Sequence, residues 1–374
     1  VAVPTDAAYW YSWAQVPGIG PVLLQRLRQH FGTLKAAWEA PLRDLGAVEG
    51  IGTKLLAVIE QQRSSDTPER AYAEHARQNP QHWVYGDTGY PHLLTEIPDP
   101  PPLLYYGGTL GASVFTSAQG AIAIVGTRDP SEYGRRWARK LGYCLGQAGF
   151  VVVSGMAAGI DAEAHWGCLE SGGSTIAVLA TGVDMIYPPE NQALYWQLVQ
   201  RGALLSEYPR GTSPDRAQFP RRNRIIAGLC RAVIIVEAPF KSGALITARY
   251  AAEYGRDVYV LPGHLDNHRS KGGLSLVNQG AHIILGEEAL LQQLGQTPPL
   301  QLPSPPAVPQ LTPQQQQILQ TLSHLSVQGH TGSIAFDDIV QAVPLDTGTV
   351  AAELLTLELL GVVQQEPGNR YLLP

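Results

Sequence analysis

The sequence predicts an α/β fold: a parallel sheet wrapped by helices on both faces, preceded by a helical segment and followed by a small module of helices and a hairpin. Three observations carry this. Between residues 121 and 285, short apolar runs ending in glycine or serine turns alternate with helical stretches, the pattern of strands buried on both faces. Before residue 80, the apolar spacing is helical and glycine turns break it. Six prolines in 298–309 then separate the C-terminal residues from the rest. A chain of 374 residues exceeds what one core usually holds, about 250–300 residues. The expected divisions are a helical domain at 1–85, a sheet domain at 86–295 with 86–118 as its extended lead-in, a linker at 296–310 and a last module at 311–374.

In chain order, residues 9–75 read as helical. Val16-Pro17-Gly18-Ile19-Gly20-Pro21 precedes the amphipathic run 22–31, and Val48-Glu49-Gly50-Ile51-Gly52-Thr53 precedes 54–62. Both turns resemble helix-hairpin-helix units, in which glycines let N–H groups at a helix start meet a DNA phosphate. Charges of both signs surround them here, which favours a packing domain. In 90–107, Pro98, Pro100, Pro101 and Pro102 bar helix and central strand, so an extended crossing between domains is expected.

Strands are expected at 121–125, 150–153, 175–179, 203–206, 232–236, 258–261 and 282–285, with helices from about Tyr133, after Ser154-Gly155 and over 244–254. Past the linker, 313–324, 336–342 and 347–360 read as helices, and 362–365 with 370–373 as a hairpin around Pro367-Gly368-Asn369. Three helices and a hairpin make a winged helix, usually a DNA reader. Arg370 is the only Lys or Arg after residue 295, and Asp346, Glu353 and Glu358 lie on the third helix. The module therefore reads as a protein-binding or regulatory unit.

Charge is unevenly spread along a chain of net charge -6: Lys and Arg against Asp and Glu number 8 and 11 in 1–118, 17 and 15 in 119–295, and 1 and 6 in 296–374. Only the middle third offers a phosphate-binding surface. Cys144, Cys168 and Cys230 share no CxxC spacing and are odd in number, which argues against both a disulfide framework and a cysteine zinc site. No apolar run approaches the roughly 18 residues of a membrane span. A cytoplasmic protein with no membrane partner is expected.

The candidate site centres on 219–229. Between Arg210 and Arg231 stand six arginines and one acid, Asp215. Guanidinium groups this dense call for an anion, and their planar fork suits phosphate. Phe219 adds a flat face for a base. In a parallel sheet, ligands sit at the carboxyl ends of the strands. Those ends carry Gly126-Thr127-Arg128, Ser154-Gly155, whose backbone could anchor an anion, and Lys241-Ser242-Gly243. The GxGxxG fingerprint is missing, so no dinucleotide cofactor is expected. Arg128, Arg222 to Arg224 and Lys241 are expected to line one rim, and separated cations suit an extended polyanion. Asp161 and His165, at i and i+4, are an incomplete metal or acid–base set and read as a structural ion pair or hydrogen bond. Glu237 stands at a strand end where a general base could be, but no nucleophile accompanies it. No catalytic set and no metal site are expected.

Taken together, these motifs resemble the DNA-processing protein A (DprA/Smf) family. The resemblance rests on Tyr90-Pro91 with Asp99-Pro100-Pro101, Gly126-Thr127-Arg128 with Tyr133-Gly134, Ser154-Gly155 with Gly159-Ile160-Asp161 and Ala164-His165, Ser206-Glu207-Tyr208, the block 219–229, Ser242-Gly243 with Leu245-Ile246-Thr247-Ala248, and Pro262-Gly263. It implies a SAM- or helix-hairpin-helix-like N-terminal domain, an extended Rossmann domain and a winged helix. It further implies a non-enzymatic homodimer, joined through the Rossmann domain, that binds single-stranded DNA in natural transformation, protects it and helps load the recombinase RecA. The DNA-contacting positions it implies are Arg128, Ser154, Gly155, Phe219, Arg222, Asn223, Arg224 and Lys241, with Gly126 and Ser242 in the same loops. The chain departs from the family pattern at Ala158, where lysine is frequent, and at Leu274, where asparagine is common. Two rivals stand beside this reading. One is a nucleotide-cleaving enzyme of the Rossmann phosphoribohydrolase type, disfavoured because 241–248 lacks its glutamate. The other is a scaffold that brings a recombinase to DNA through its acidic tail.

Overall fold

The computed structural model describes residues 5–109, 114, 119–295, 311–327, 333–359, 362–366 and 368–373. The expected linker at 296–310 lies outside them, as does most of 110–118. The chain forms two compact units, 1–297 and 298–374.

The first unit is built on a nine-stranded sheet. Its strands are β1 (His82–Val84), β2 (Leu103–Gly108), β3 (Ala121–Val125), β4 (Val151–Ser154), β5 (Thr175–Leu179), β6 (Ala203–Ser206), β7 (Ala232–Ile235), β8 (Asp257–Val260) and β9 (His282–Ile283). Their spatial order is β1-β2-β6-β5-β4-β3-β7-β8-β9. β3 to β9 run parallel, whereas β1 and β2 are antiparallel additions beside β6. The crossing expected over 90–107 is thus corrected: only its first part is a crossing, and β2 joins the sheet, with Tyr105 opposite Ser206 and Gly108 opposite Ala203. Proline removes donors only up to Pro102, and from Leu103 every N–H can enter a ladder. The last expected strand is also shorter, ending at Ile283 rather than residue 285.

Alternation on β3 shows how the sheet is covered. Ala121, Ala123 and Val125 pack with Ile225, Leu229 and Ala248, while Ile122 and Ile124 face Leu141, Ile160 and Ala164 on the other side. Those partners belong to α8 (Glu132–Gln147), α9 (Ile160–Glu170), α11 (Gln218–Leu229) and α12 (Ala244–Glu253). The remaining helices beside the sheet are α7 (His92–Thr95), α10 (Gln192–Arg201), α13 (Lys271–Val277) and α14 (Glu287–Gln293). Each fully buried large aliphatic side chain contributes about 1.5–3 kcal/mol. α8 and α9 approach so closely that a Cβ at Gly142 or Gly167 would overlap the carbonyl oxygen of Ala164 or Arg139.

Upstream lie α1 (Thr5–Ala14), α2 (Pro21–Phe31), α3 (Leu34–Glu39), α4 (Leu42–Leu45), α5 (Thr53–Ser65) and α6 (Pro68–Gln78). They share a core around Trp10, Trp13, Leu24, Leu27 and Ile59. The two glycine turns precede α2 and α5, with Gly18 and Gly50 at φ of 92° and 96°, which L side chains rarely adopt. These helices belong to the same compact unit as the sheet. Tyr105 of β2 hydrogen-bonds His75 of α6 at 2.8 Å, and Asn79 accepts the Arg210 N–H at 2.9 Å.

The second unit holds α15 (Pro313–Val327), β10 (Ile334–Ala335), α16 (Phe336–Ala342), α17 (Thr347–Leu359), β11 (Gln364–Glu366) and β12 (Arg370–Leu372), with strands ordered β10-β12-β11. This is a winged helix closed over Ile318, Leu322, Ile339, Val350, Leu354 and Tyr371. Asp346 caps α17 by accepting the Thr349 N–H at 3.1 Å. Arg370 donates through Nε to Ser333 Oγ at 3.1 Å and through Nη2 to the Ser333 carbonyl, so the module's one cation is tied to its own backbone.

Candidate nucleic-acid interface

Successive strands run one way from β3 through β4, β5 and β6, then the other way from β7 to β9. The switch lies between β3 and β7, where an open parallel sheet leaves a crevice outside its strand ends. A cleft of about 380 Å³ occupies this place, walled by Gly126–Arg128, Phe219, Arg222, Asn223 and 241–243. A second cavity of about 200 Å³ adjoins it, lined by Thr181, Tyr187, Pro188 and Glu190. Arg128, Ala157, Phe219 and Arg222 line both and form the partition.

Short bonds fix the loops. Thr127 N–H donates to the Glu237 carbonyl at 2.7 Å, and Ile160 N–H to the Thr127 carbonyl at 3.2 Å. Gly126 passes so near α9 that a Cβ would lie 2.5 Å from Ile160 Cγ1. Glu237 is buried, and its carboxylate accepts Ser131 N–H at 2.8 Å, Ser131 O–H at 2.6 Å and Asn267 N–H at 3.4 Å. Ser131 in turn caps α8. Glu237 is therefore a bracket between two loops, its carboxylate engaged by Ser131 and Asn267.

Arg128 is exposed, with its guanidinium 5.1 Å above the Phe219 ring, and Tyr187 packs on Phe219 at 5.5 Å. Lys241 is exposed and lines the same cleft. Ser242 Oγ accepts the Ala244 N–H at 3.3 Å at the start of α12, and Asn223 donates to the Gly243 carbonyl at 3.1 Å. Arg222 is buried between the cavities and donates to the carbonyls of Gly155, at 2.7 Å, and Val178. Burial lowers its pKa to about 10, with Asp161 opposing, so it remains a cation at neutral pH. A Cβ at Gly155 would lie 2.5 Å from Arg222 Nη2, which accounts for glycine there.

Three expectations change. Ser154 and Gly155 offer no free anion anchor: Ser154 O–H donates to the Ile124 carbonyl at 2.6 Å, and Gly155 N–H donates to Asp161 at 3.1 Å. Asp161 supplies its own carboxylate where a ligand anion was expected; burial raises its pKa, against Arg222 and the neighbouring N–H donors. Arg224 is absent from the rim. It is buried, 3.3 Å from Asp99 and paired with Glu207, and burial's lowering of its pKa is outweighed by these two carboxylates. Asp161 and His165 are structural but bond different partners, since His165 Nδ1 meets Thr175 Oγ1 at 2.7 Å. Sequence reasoning missed Tyr187 and Glu190, whose loop follows β5 and carries no motif beyond its place at a strand's carboxyl end. Among the described residues, no group of three or more His, Cys, Asp or Glu is placed to hold a metal ion.

A Rossmann-like parallel sheet with a cation-lined crevice at its switch point, joined in sequence to a winged helix, defines the class. The family model for DNA recombination-mediator protein A matches residues 81–295, and that for the DprA winged helix domain matches 302–369. The chain belongs to this DprA/Smf family. It is 46% identical to Protein Smf of Synechocystis sp. over an alignment of 392 residues covering 98% of each chain. Among solved structures, DprA of Streptococcus pneumoniae superposes with a TM-score of 0.67 at 33% identity, over 76% of this chain and 97% of that one. DprA of Helicobacter pylori, described for its single-stranded DNA binding mode, gives 0.52 at 32% identity, over 57% and 95%.

Proposed function

We propose that this protein binds single-stranded DNA without sequence preference during natural transformation, protects the incoming strand and helps load RecA, without catalysis of its own. The observation that carries the reading is the crevice itself, lined by the exposed Arg128 and Lys241 and by the buried Arg222. Cations at separate points on an open crevice fit a backbone that passes through better than a small ester held inside. Binding of single-stranded DNA by the Helicobacter pylori relative supports it. The protein acts as a homodimer through the sheet, whose edge strand β9 carries the exposed Ile283, with Leu285, 82% exposed, two residues past its end. The winged helix takes a protein partner.

The test is titration of labelled oligo-dT across a salt series, beside duplex DNA of equal length and an Arg128→Ala, Lys241→Ala double variant. The wild type is expected to prefer the single strand. The logarithm of its affinity should fall linearly with that of salt, and the double variant should flatten the slope by about 1.4, or about 0.7 per lost phosphate contact. Failure of the folded wild type to bind at low salt would overturn the proposal.

A further inference from the structure

Phe219 is the aromatic residue of the 219–229 block, but its ring is already engaged. The Arg128 guanidinium lies over it and Tyr187 packs beside it. It serves as part of the partition between two cavities. A base stacking there would have to displace a favourable cation–π contact, worth about 0.5–1 kcal/mol at an exposed site.

A second aromatic stands uncovered in the loop that forms one wall of the cleft, without itself lining it. Phe240 is 66% exposed and lies between Pro239 and Lys241, both of which line the 380 Å³ cleft. Among the described residues, no other ring and no cation packs against it. Its loop is pinned on both sides: Ser242 N–H donates to the Pro239 carbonyl at 2.8 Å, Gly273 N–H to the Ala238 carbonyl at 3.1 Å, and Asn223 to the Gly243 carbonyl at 3.1 Å. A ring held on such a loop loses little freedom when a flat partner covers it. The adjacent ammonium supplies the other half of a single-strand site, a point charge for the phosphate beside a face for the base.

We infer that Phe240 is a stacking platform, set beside the cleft, for an unpaired base whose strand is held through phosphate by Lys241 in the cleft wall. The inference rests on the single-strand reading above. It adds a residue of the β7–α12 loop to which the family resemblance assigns no role.

The experiment titrates the full-length wild type, Phe240→Ala and Phe240→Trp with oligo-dT and with an abasic strand of the same length, with Lys241→Ala as the phosphate control. Phe240 is exposed, and thermal melts of the variants are expected to match the wild type. Phe240→Ala should weaken oligo-dT binding roughly 5- to 150-fold, the range of one base–aromatic stack, with the salt slope unchanged. On the abasic strand it should bind like the wild type. Phe240→Trp should retain affinity, and its added fluorescence, taken as the difference from wild type, should be quenched by oligo-dT. Equal oligo-dT affinity of Phe240→Ala and wild type would overturn the inference, as would equal losses on both strands. If Lys241→Ala weakens binding while Phe240→Ala does not, the Phe240 inference alone falls. If the wild type binds neither strand, the single-strand reading falls with it.

Discussion

Arg222 and Arg224 are two residues apart on α11 and do opposite work. At 3.6 residues per turn they point about 200° apart, whereas Phe219 and Arg222, at i and i+3, share a face. Arg222 therefore faces the cavities with Phe219, and Arg224 is turned into the pair with Asp99 and Glu207. Charge density in the sequence merges the two arginines; the helical period, once the helix is known to start at Gln218, separates them. Arg210, Arg216 and Arg221 are exposed and line neither cavity, so density overstated the rim. Arg128 and Lys241 were legible because strand-end loops of a parallel sheet converge, but that Asp161 fills the Gly155 nest needed coordinates. Removing Arg224 leaves two carboxylates facing each other without a cation. Arg224→Ala should cost about 3–5 kcal/mol in urea unfolding. While folded, the variant should keep the wild-type salt slope with oligo-dT, where Arg128→Ala loses about 0.7. A slope change in Arg224→Ala equal to that of Arg128→Ala would return this residue to the rim.

The strands were readable because a strand covered on both faces is apolar at every position, and the limits of β3, β5 and β6 coincide with the runs. β2 was hidden by the prolines before it. Helices α6 and α9 carry a feature no motif announces, a buried neutral histidine on each. His75 bonds Tyr105, stacks on Tyr11 at 4.4 Å and has His82 5.8 Å away; burial, aided by His82, lowers its pKa to about 4. His165 bonds Thr175, and burial with Arg222 nearby lowers it to about 3. An unfolded histidine titrates near 6.5. Below that pH the unfolded chain binds protons that the folded chain refuses, so stability is full above about 6.5 and falls as pH drops toward the folded values. The slope is roughly 1.4 kcal/mol per pH unit for each histidine, so unfolding free energy should be lower by roughly 4 kcal/mol at pH 5 than at pH 7. His165→Gln should remove about half of that dependence. Urea curves that coincide at pH 7 and pH 5 would contradict the assignment of both histidines as neutral.

At the scale of the whole chain, the proline-rich stretch 298–309 falls where the second of two compact units, 1–297 and 298–374, begins. The helical segment before residue 85 has a core of its own and shares the first unit with the sheet. The reason is β1, whose residues His82–Val84 hydrogen-bond to β2 and carry the N-terminal helices onto the sheet. Three residues are too few to register as a strand in a sequence. The winged helix, in contrast, has its own sheet as well as its own core. Its lone arginine is bonded to Ser333, and its third helix carries Glu353 and Glu358. A winged helix that reads DNA places cations along the duplex backbone, and this one has none to spare. Truncation after residue 297 should therefore leave oligo-dT affinity within about threefold of the full chain, with the salt slope intact, because every Lys and Arg of the sequence except Arg370 precedes residue 296. Affinity that rises on truncation, most at low salt, would measure the repulsion from a module of net charge -5 counted over 296–374, which a Debye length of about 10 Å at 0.1 M salt confines to short range. A tenfold loss of affinity together with a shallower slope would show that the module supplies phosphate contacts after all.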